Sequence, residues 1–178
     1  MLTEKQAGVL KGMVPGGLIA IAIIFIGAST NPFSIDPSLS EINRLGIAIQ
    51  SLILLVIFLA VSVGRLAKHR FFTPEDIDGG GLSEGTDRAK ILQSLLQNTL
   101  EQFCLAAPVY LAWAFVMPAR WISVVPLVAI TFAIGRILFF VGYEKGAASR
   151  AIGFAMTFYP SVVMLVCVVC NMVWKMVN

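Results

Sequence analysis

Long apolar runs alternate with short polar segments along the chain. The runs occupy Val14–Ala28, Leu45–Gly64, Arg88–Met117, Trp121–Ile134 and Ala151–Trp174. A helix needs about 20 predominantly apolar residues to cross the hydrocarbon core of a bilayer. The second run meets this length by itself, and the first run meets it once Leu10–Met13 is included. The pattern predicts an all-α integral membrane protein with five spanning helices.

The first apolar run has a second interpretation, as a secretory signal peptide. Lys5 and Lys11 give it a basic start, and its apolar core is short, as in signal peptides. The residues Ala28-Ser29-Thr30 match a cleavage site poorly. We therefore interpret this run as a retained helix, whose removal would leave four spans.

Two polar segments connect the first three runs. Ser29–Arg44 contains two prolines and several turn formers, which favour a loop. Phe71–Asp87 contains three consecutive glycines, and its Asp76-x-Asp78-Gly79 sequence is faintly similar to a calcium loop. No further ligand follows at the spacing that calcium requires. We predict a solvated connector and no metal site.

The third run differs from the others because its first half is polar. Ser94, Asn98 and Glu101 recur at the spacing that places residues on one face of a helix. A polar face on a membrane helix must contact a protein interior, a water-filled cleft or a partner helix. The carboxylate of Glu101 also requires a cation or a proton.

The segment Gly135–Phe154 joins the last two runs and carries cations where a helix is expected to end and turn. Arg136 and Tyr143 share one predicted helical face, and Arg150 follows seven residues later. Cations at helix ends often extend to the lipid headgroups, with aromatic residues beside them. A cation that stays within the hydrocarbon is otherwise costly in free energy, unless a ligand or another protein group pairs with it. The segment is therefore either an interface anchor or part of a site.

Composition agrees with a membrane protein and argues against other classes. Charged residues make up 13% of the chain, against roughly 25% in soluble domains. The net charge is +3 with dispersed basic residues, so we expect no nucleic-acid partner.

The three cysteines lie in apolar runs, and Cys167-x-x-Cys170 has no neighbouring cation. We predict packing roles for them and no redox role. His69, between two cations, is interpreted as an interface residue.

The distribution of Lys and Arg predicts the orientation in the membrane. With a cytoplasmic N-terminus, ten of the 13 cations lie on the cytoplasmic side, and the other side holds only Arg44, Arg120 and Lys175. This orientation brings the polar half of the third run level with Gly135–Phe154. The predicted cytoplasmic cleft is lined by Asn98, Glu101, Arg136, Tyr143 and Arg150.

Such a cleft suits a small zwitterion with more than one carboxylate. Glu101 would pair with an ammonium group, and the two arginines would pair with carboxylates. A cation beside a thiol favours the thiolate. Apolar walls open to lipid would admit a lipophilic second substrate. These features indicate a thiol peptide such as glutathione, although side chains alone leave the identity of the ligand open.

Two blocks of the chain resemble the MAPEG family, the membrane-associated proteins in eicosanoid and glutathione metabolism. One block is Asn98-x-x-Glu101, early in a span. The other combines, at fixed spacing, Gly135-Arg136, Gly142-Tyr143, Arg150 and Gly153-Phe154. The resemblance covers about residues 45–174, and the stretch from Arg70 to Gln102 is similar to bacterial members in particular.

This resemblance implies a fold, a partner and a division of roles. Residues 45–178 would form a four-helix domain that assembles as a homotrimer, with residues 1–44 as an additional N-terminal helix and loop. Glutathione would be the co-substrate, bound near the cytoplasmic face of a bacterial inner membrane. Arg150 would be the catalytic residue that stabilises the thiolate. The implied glutathione-binding residues are Asn98, Glu101, Arg136 and Tyr143.

Three positions depart from the glutathione-using members of the family. Ser94, Gln102 and Phe139 stand where those members have Arg, Tyr and Tyr. Arg88 or Lys90 would replace the missing cation.

Three hypotheses about function follow. The leading hypothesis is a glutathione transferase or peroxidase that acts on a lipophilic electrophile. One alternative is a non-catalytic structural or binding membrane protein on the same scaffold. The other is a small proton-coupled transporter that uses Glu101 as its carrier carboxylate.

Overall fold

The computed structural model describes residues 2–178, which form five long α-helices and no β-strand. The helices are α1 (Glu4–Thr30), α2 (Glu41–Phe72), α3 (Asp87–Val116), α4 (Val124–Gly142) and α5 (Ala147–Val177). Single 3-10 turns lie before α3, α4 and α5 at Pro74–Asp76, Ala119–Trp121 and Tyr143–Lys145. All five helices, α4 together with its flanking turns, are long and apolar enough to cross a membrane. The predicted all-α membrane fold is confirmed.

Polar caps extend the helices beyond the apolar runs from which they were predicted. The hydroxyl of Thr3 accepts from the backbone of Gln6, whose side chain in turn accepts from the backbone of Thr3. This capping box starts α1 well before Val14. The hydroxyl of Ser40 caps α2 by accepting from the backbone of Asn43, so α2 begins at Glu41 and the predicted loop from Ser29 to Arg44 is shorter than expected.

The connection between α4 and α5 is also shorter than the sequence indicated. Gly146 has a φ of +103°, a backbone conformation that side chains other than glycine rarely adopt. The chain turns sharply there, and α5 begins at Ala147. Arg150, which was expected in the turn, therefore lies in the first turn of α5 and has a fixed direction.

Glycines let α4 and α5 approach each other closely. A Cβ added to Gly153 would lie 2.4 Å from the backbone nitrogen of Phe139 and 2.7 Å from the carbonyl oxygen of Gly135. A Cβ on Gly142 would lie 2.5 Å from the carbonyl oxygen of Ser149. Only glycine fits at these contacts, as at other close crossings of membrane helices. The contacts hold the segment with Arg136 against the segment with Arg150.

The core fills the middle of the bundle and one of its ends. The main cluster contains the fully buried side chains of Leu55, Tyr110, Trp113, Phe132 and Met164. A smaller cluster, with Leu66, Leu92, Leu95 and Phe139, lies beside it.

The start of α1, the α2–α3 connection and the α4–α5 turn lie together at one end of the bundle. We call this the α4–α5 end.

The opposite end of the bundle caps the carboxyl terminus of α3. Arg44 is buried and its Nη1 donates to the carbonyl of Met117 at 2.9 Å. Asn171 and Lys175 of α5 donate to the carbonyl of Val116 at 3.2 and 3.1 Å. Donors and cations stabilise a helix C-terminus because its last carbonyls have no partner within the helix. Arg44 was expected in an exposed loop, and the early start of α2 explains its buried position.

Candidate functional site

A cleft of about 350 Å³ opens at the α4–α5 end between α1, α3, α4 and α5. Its size falls at the lower end of the range for small-molecule sites. Its lining is Val9, Met13, Ser94, Asn98, Phe139, Tyr143, Ala147, Arg150, Ala151 and Phe154. We call it the Arg150 cleft. Three of the five predicted site residues, namely Asn98, Tyr143 and Arg150, meet here.

Arg150 lies in the cleft with its guanidinium over an aromatic ring. Its Cζ lies 4.3 Å from the centroid of the Tyr143 ring, a cation–π distance. Within residues 2–178 no carboxylate forms an ion pair with it. Tyr143 also packs edge-on against Phe139 at 5.4 Å between centroids. The cation is thus held in place by aromatic packing while its charge is not neutralised by a carboxylate.

Arg136 lies behind this cleft and not in its lining. The side chain is fully buried, with 0% exposure. Its Nη1 donates to Oδ1 of Asn98 at 2.9 Å and its Nη2 to Oγ1 of Thr99 at 3.1 Å. Its guanidinium also stacks on Phe139 at 4.2 Å. Neutral acceptors and an aromatic face replace an ion pair, and Arg136 contacts the cleft only through two lining residues, Asn98 and Phe139.

Glu101 lies on a different face of α3 from Asn98. It is exposed in the single chain, and Oε1 accepts a hydrogen bond from Nε2 of Gln97 at 2.9 Å. It therefore does not line the Arg150 cleft, and within the described chain it has no arginine partner. The single constellation that we predicted is divided among a cleft, a buried network and an exposed helix face.

A second cleft, of about 500 Å³, adjoins the first and contains none of the five predicted site residues. Arg70, Lys90 and the glycine-rich segment 79–81 line it, and Ser94 lines both clefts. We call it the Arg70 cleft. Arg88, the other predicted replacement cation, is instead paired with Glu144 of the turn between α4 and α5. Lys90 is therefore the cation of α3 nearer to the candidate site.

A buried carboxylate organises the α2–α3 connection next to the Arg70 cleft. Asp76 is 1% exposed, and it accepts from the hydroxyl and the backbone of Thr86 at 2.6 and 2.7 Å. Nε2 of His69 lies 2.8 Å from Oδ2 of Asp76, the oxygen that also accepts from the hydroxyl of Thr86. The hydrogen bonds from Thr86 lower the pKa of Asp76, and His69 lowers it further. His69, predicted to be an interface residue, thus fixes this connection to the end of α2.

The three positions that depart from the family pattern have distinct surroundings. Ser94 is exposed at the border of the two clefts and donates to the carbonyl of Lys90 at 2.9 Å. Phe139 is buried beneath Arg136 and Tyr143. Gln102 is buried, and its Oε1 has no hydrogen-bond partner among the described residues. Only Ser94 and Phe139 contact the Arg150 cleft.

Sequence reasoning missed the contribution of α1 to the cleft. Val9 and Met13 form part of the lining, although α1 was treated as an addition to the site-bearing helices. One signal was present in the sequence: Gly8, Gly12 and Gly16 recur every four residues, the spacing of closely packed membrane helices. That spacing indicates packing against another helix, but it does not say which one.

Together, the fold and the clefts define a helical integral membrane protein with a polar site at one end of the bundle. The profile of the MAPEG family matches residues 45–170. Because the match covers most of the chain, the chain belongs to the MAPEG family, as its motifs indicated. Comparisons with curated proteins and with solved structures gave no match.

Membership describes the function at the level of the family. It places the chain among the membrane proteins of glutathione and eicosanoid metabolism. The matched residues begin in the first turns of α2 and end within α5, so α1 lies outside them.

Proposed function

We propose that the chain binds glutathione in the Arg150 cleft and holds its sulfur as a thiolate for reaction with a lipophilic molecule. The observation that carries this proposal is the position of Arg150. Its guanidinium lies over Tyr143 in the cleft, without a carboxylate partner in residues 2–178. A guanidinium without a carboxylate partner can form an ion pair with an anion that enters the cleft.

One arginine is sufficient for the required shift in thiol ionisation. A free thiol has a pKa of about 8.5, so only a small fraction is thiolate at neutral pH. Lowering that pKa by about two units requires roughly 2.7 kcal/mol of differential stabilisation. A charge-assisted hydrogen bond in a partly desolvated site supplies about this amount. Arg150 would therefore act as the catalytic residue.

The proposed reaction is conjugation or peroxide reduction. In conjugation, the thiolate sulfur gives its electron pair to an electrophilic carbon, an S–C bond forms, and the leaving group departs with its bonding pair. In peroxide reduction, the thiolate sulfur attacks the terminal oxygen of a hydroperoxide and the O–O bond breaks, which gives the sulfenic acid. The remaining alkoxide takes a proton and is released as the alcohol. A second glutathione then reduces the sulfenic acid, giving the disulfide and water.

Asn98 and Tyr143 would orient the peptide. Because Oδ1 of Asn98 accepts from Arg136, the amide group of Asn98 retains its two N–H donors for a ligand carbonyl or carboxylate. Arg136 is fully buried and would act as a positioning residue through Asn98. The phenol of Tyr143 lines the cleft and can donate a hydrogen bond.

The Arg70 cleft would hold a carboxylate end of glutathione. It adjoins the Arg150 cleft at Ser94 and is lined by Arg70 and Lys90. Lys90 lies one helical turn before Ser94. Lys90 lines this cleft and Arg88 lines neither cleft, which supports Lys90 as the replacement for the cation that is missing at Ser94.

Glu101 supports assembly of the proposed homotrimer. Glu101 and Gln97 form a polar pair on the exposed face of α3, which is costly in contact with lipid. A neighbouring copy would cover this face, and Glu101 would then face the ammonium group of glutathione at a site shared between copies. The Lys and Arg distribution supports clefts that face the cytoplasm, and the resemblance of Arg70–Gln102 to bacterial members supports a bacterial inner membrane.

Glutathione binding in detergent tests the proposal directly. We expect calorimetry to detect binding to the wild-type protein, and ultraviolet absorbance to detect bound thiolate at neutral pH. Arg150→Ala should weaken binding about 10- to 100-fold, since it removes a charge-assisted hydrogen bond, and should abolish the thiolate absorbance.

Lys145→Ala is the matched control for that experiment. Lys145 is an exposed cation of the same turn that lines neither cleft. It should behave as wild type in both measurements. Equal binding and equal thiolate absorbance in wild type and Arg150→Ala would show that the proposed mechanism is wrong.

A structural or binding role without catalysis is the second candidate. The exposed Gln97–Glu101 pair favours it, because a polar helix face can serve assembly alone. Absence of glutathione binding by the wild-type protein, together with an oligomer that dissociates in Glu101→Ala, would favour this function.

A further inference from the structure

The Arg150 cleft has two walls of opposite chemistry. Ser94, Asn98 and Tyr143 present polar groups from α3 and the α4–α5 turn. Val9 and Met13 of α1 present only apolar atoms to the same cleft. A molecule that fills the cleft must therefore have a polar part and an apolar part.

α1 is held firmly in this position by α5. The two helices run parallel, and a Cβ added to Gly8, Gly12 or Gly16 would lie 2.9, 2.8 or 2.3 Å from the Cβ of Ala148, Ala151 or Ala155, respectively. Such close contact between small residues is a strong packing determinant in membranes. Because Ala151 is also part of the cleft lining, the same contact sets the distance from Met13 to the first turn of α5.

α1 also lies outside the residues matched by the family profile. Its side chains are therefore a property of this chain and not of the matched four-helix region. The Arg150 guanidinium and Met13 line the same cleft, so a group attached to a sulfur held by Arg150 would extend toward the apolar wall.

We infer that α1 determines the lipophilic specificity of the site, with Met13 and Val9 contacting the apolar group that is bonded to the glutathione sulfur. This inference rests on the proposed function and adds the specificity-determining residues to it. The ligand class is an S-alkyl or S-aryl conjugate, whose peptide part contacts Asn98 and Arg150 and whose apolar part contacts α1.

Binding of S-methylglutathione and S-hexylglutathione to the full chain in one detergent tests the inference. The wild-type protein should bind the hexyl conjugate about tenfold or more tightly than the methyl conjugate, because the added methylenes are buried. Met13→Trp fills the cleft and should reduce this preference about tenfold, with little change for the methyl conjugate. Met13→Ala removes apolar contacts and should reduce it several-fold.

Leu18→Trp is the matched control, since Leu18 of α1 is 64% exposed and lines neither cleft. It should keep the wild-type preference. If Met13→Trp does not fold, Met13→Ala decides the result. An unchanged preference in the folded Met13 variants, or an equal loss in Leu18→Trp, would overturn the role of α1 and leave glutathione binding intact. A wild-type protein that binds neither conjugate would overturn both the proposed function and this inference.

Discussion

Arg136 and Arg150 belong to one sequence block, yet the bundle gives them opposite environments. Arg136 is fully buried and donates to Asn98 and Thr99, both on α3. Arg150 lies in a cleft, stacked on Tyr143, and has no ion pair within residues 2–178. Both sites use an aromatic face to support the cation, at 4.2 and 4.3 Å. They differ in whether protein acceptors occupy the N–H donors.

This difference separates a stabilising cation from a binding cation. Because Arg136 donates from two of its nitrogens within the protein, its removal takes one hydrogen bond each from Asn98 and Thr99. Arg150 keeps donors that a ligand can use, so its removal should affect binding more than folding. Arg136 therefore contributes mainly to the stability of the fold and Arg150 mainly to ligand affinity, although both belong to one motif.

The largest expected effect is the loss of stability in Arg136→Ala. Its removal takes the donor from Oδ1 of Asn98 and leaves Oγ1 of Thr99 with only the longer hydrogen bond from Ser62, at 3.4 Å. It also opens a cavity, and we expect the free energy of unfolding to fall by about 3 kcal/mol or more. Arg150→Ala should lower it by less than about 1 kcal/mol, since no protein acceptor loses its partner. Thermal unfolding in detergent measures both.

Arg136→Met serves as the intermediate variant in that series. It keeps apolar packing on Phe139 but removes the donors, so it should unfold between Arg136→Ala and wild type. Equal losses of stability in Arg136→Ala and Arg150→Ala would contradict the distinction between the two arginines.

A smaller effect is expected from the glycine contact that joins the two arginine-bearing helices. In Gly153→Ala the new Cβ would meet the backbone of Phe139 and Gly135, so α4 and α5 must separate. We expect a loss of about 1–3 kcal/mol in the free energy of unfolding, together with weaker glutathione binding. Gly64→Ala in α2, where nothing lies within 4 Å, should instead be neutral or stabilising by up to about 1 kcal/mol. Chemical unfolding compares them, and equal stabilities would rule out this close-contact explanation.

The smallest effect concerns Asp76, an anionic counterpart of Arg136 that is also buried and hydrogen-bonded within the protein. Hydrogen bonds from Thr86 make its pKa lower in the folded than in the unfolded chain. Its stabilisation is therefore present above the ordinary carboxyl pKa of about 3.9 and is lost as the pH falls through the folded pKa.

Melting temperatures between neutral and acidic pH measure this contribution. The wild-type protein should lose more stability on acidification than Asp76→Asn, and the two curves should converge at the acidic end. Asp78→Asn, two residues away and exposed, should follow the wild type. Parallel curves for wild type and Asp76→Asn across the whole range would exclude the proposed role of this carboxylate.

The helices were predictable because each leaves a long apolar run in the sequence. The errors occurred at their ends, where Thr3, Ser40 and Gly146 begin or stop a helix within polar sequence. Caps add several residues to a helix without adding apolar character, so hydropathy alone places such boundaries too far inside.

The candidate site was only partly predictable for a different reason. Spacing placed Asn98 and Glu101 near one face of α3, but an interval of three residues corresponds to about 300°, which leaves them some 60° apart. The contacts of α4 and α5 then decide that Asn98 faces the cleft and Glu101 faces outward. The apolar wall from α1 had no chemical signature in the sequence beyond the repeated glycines.

By itself, the sequence determined the membrane class, the five spans and the family. It also determined the small set of polar residues whose charges and hydrogen-bonding groups suit a common binding site. These properties depend on composition, periodicity and local spacing, which the chain carries in linear form. Only the tertiary structure decided which arginine is buried, which is presented to a ligand, and which helix completes the cleft. Those outcomes depend on helix rotation and on contacts between residues far apart in the chain, such as Gly12 of α1 with Ala151 of α5.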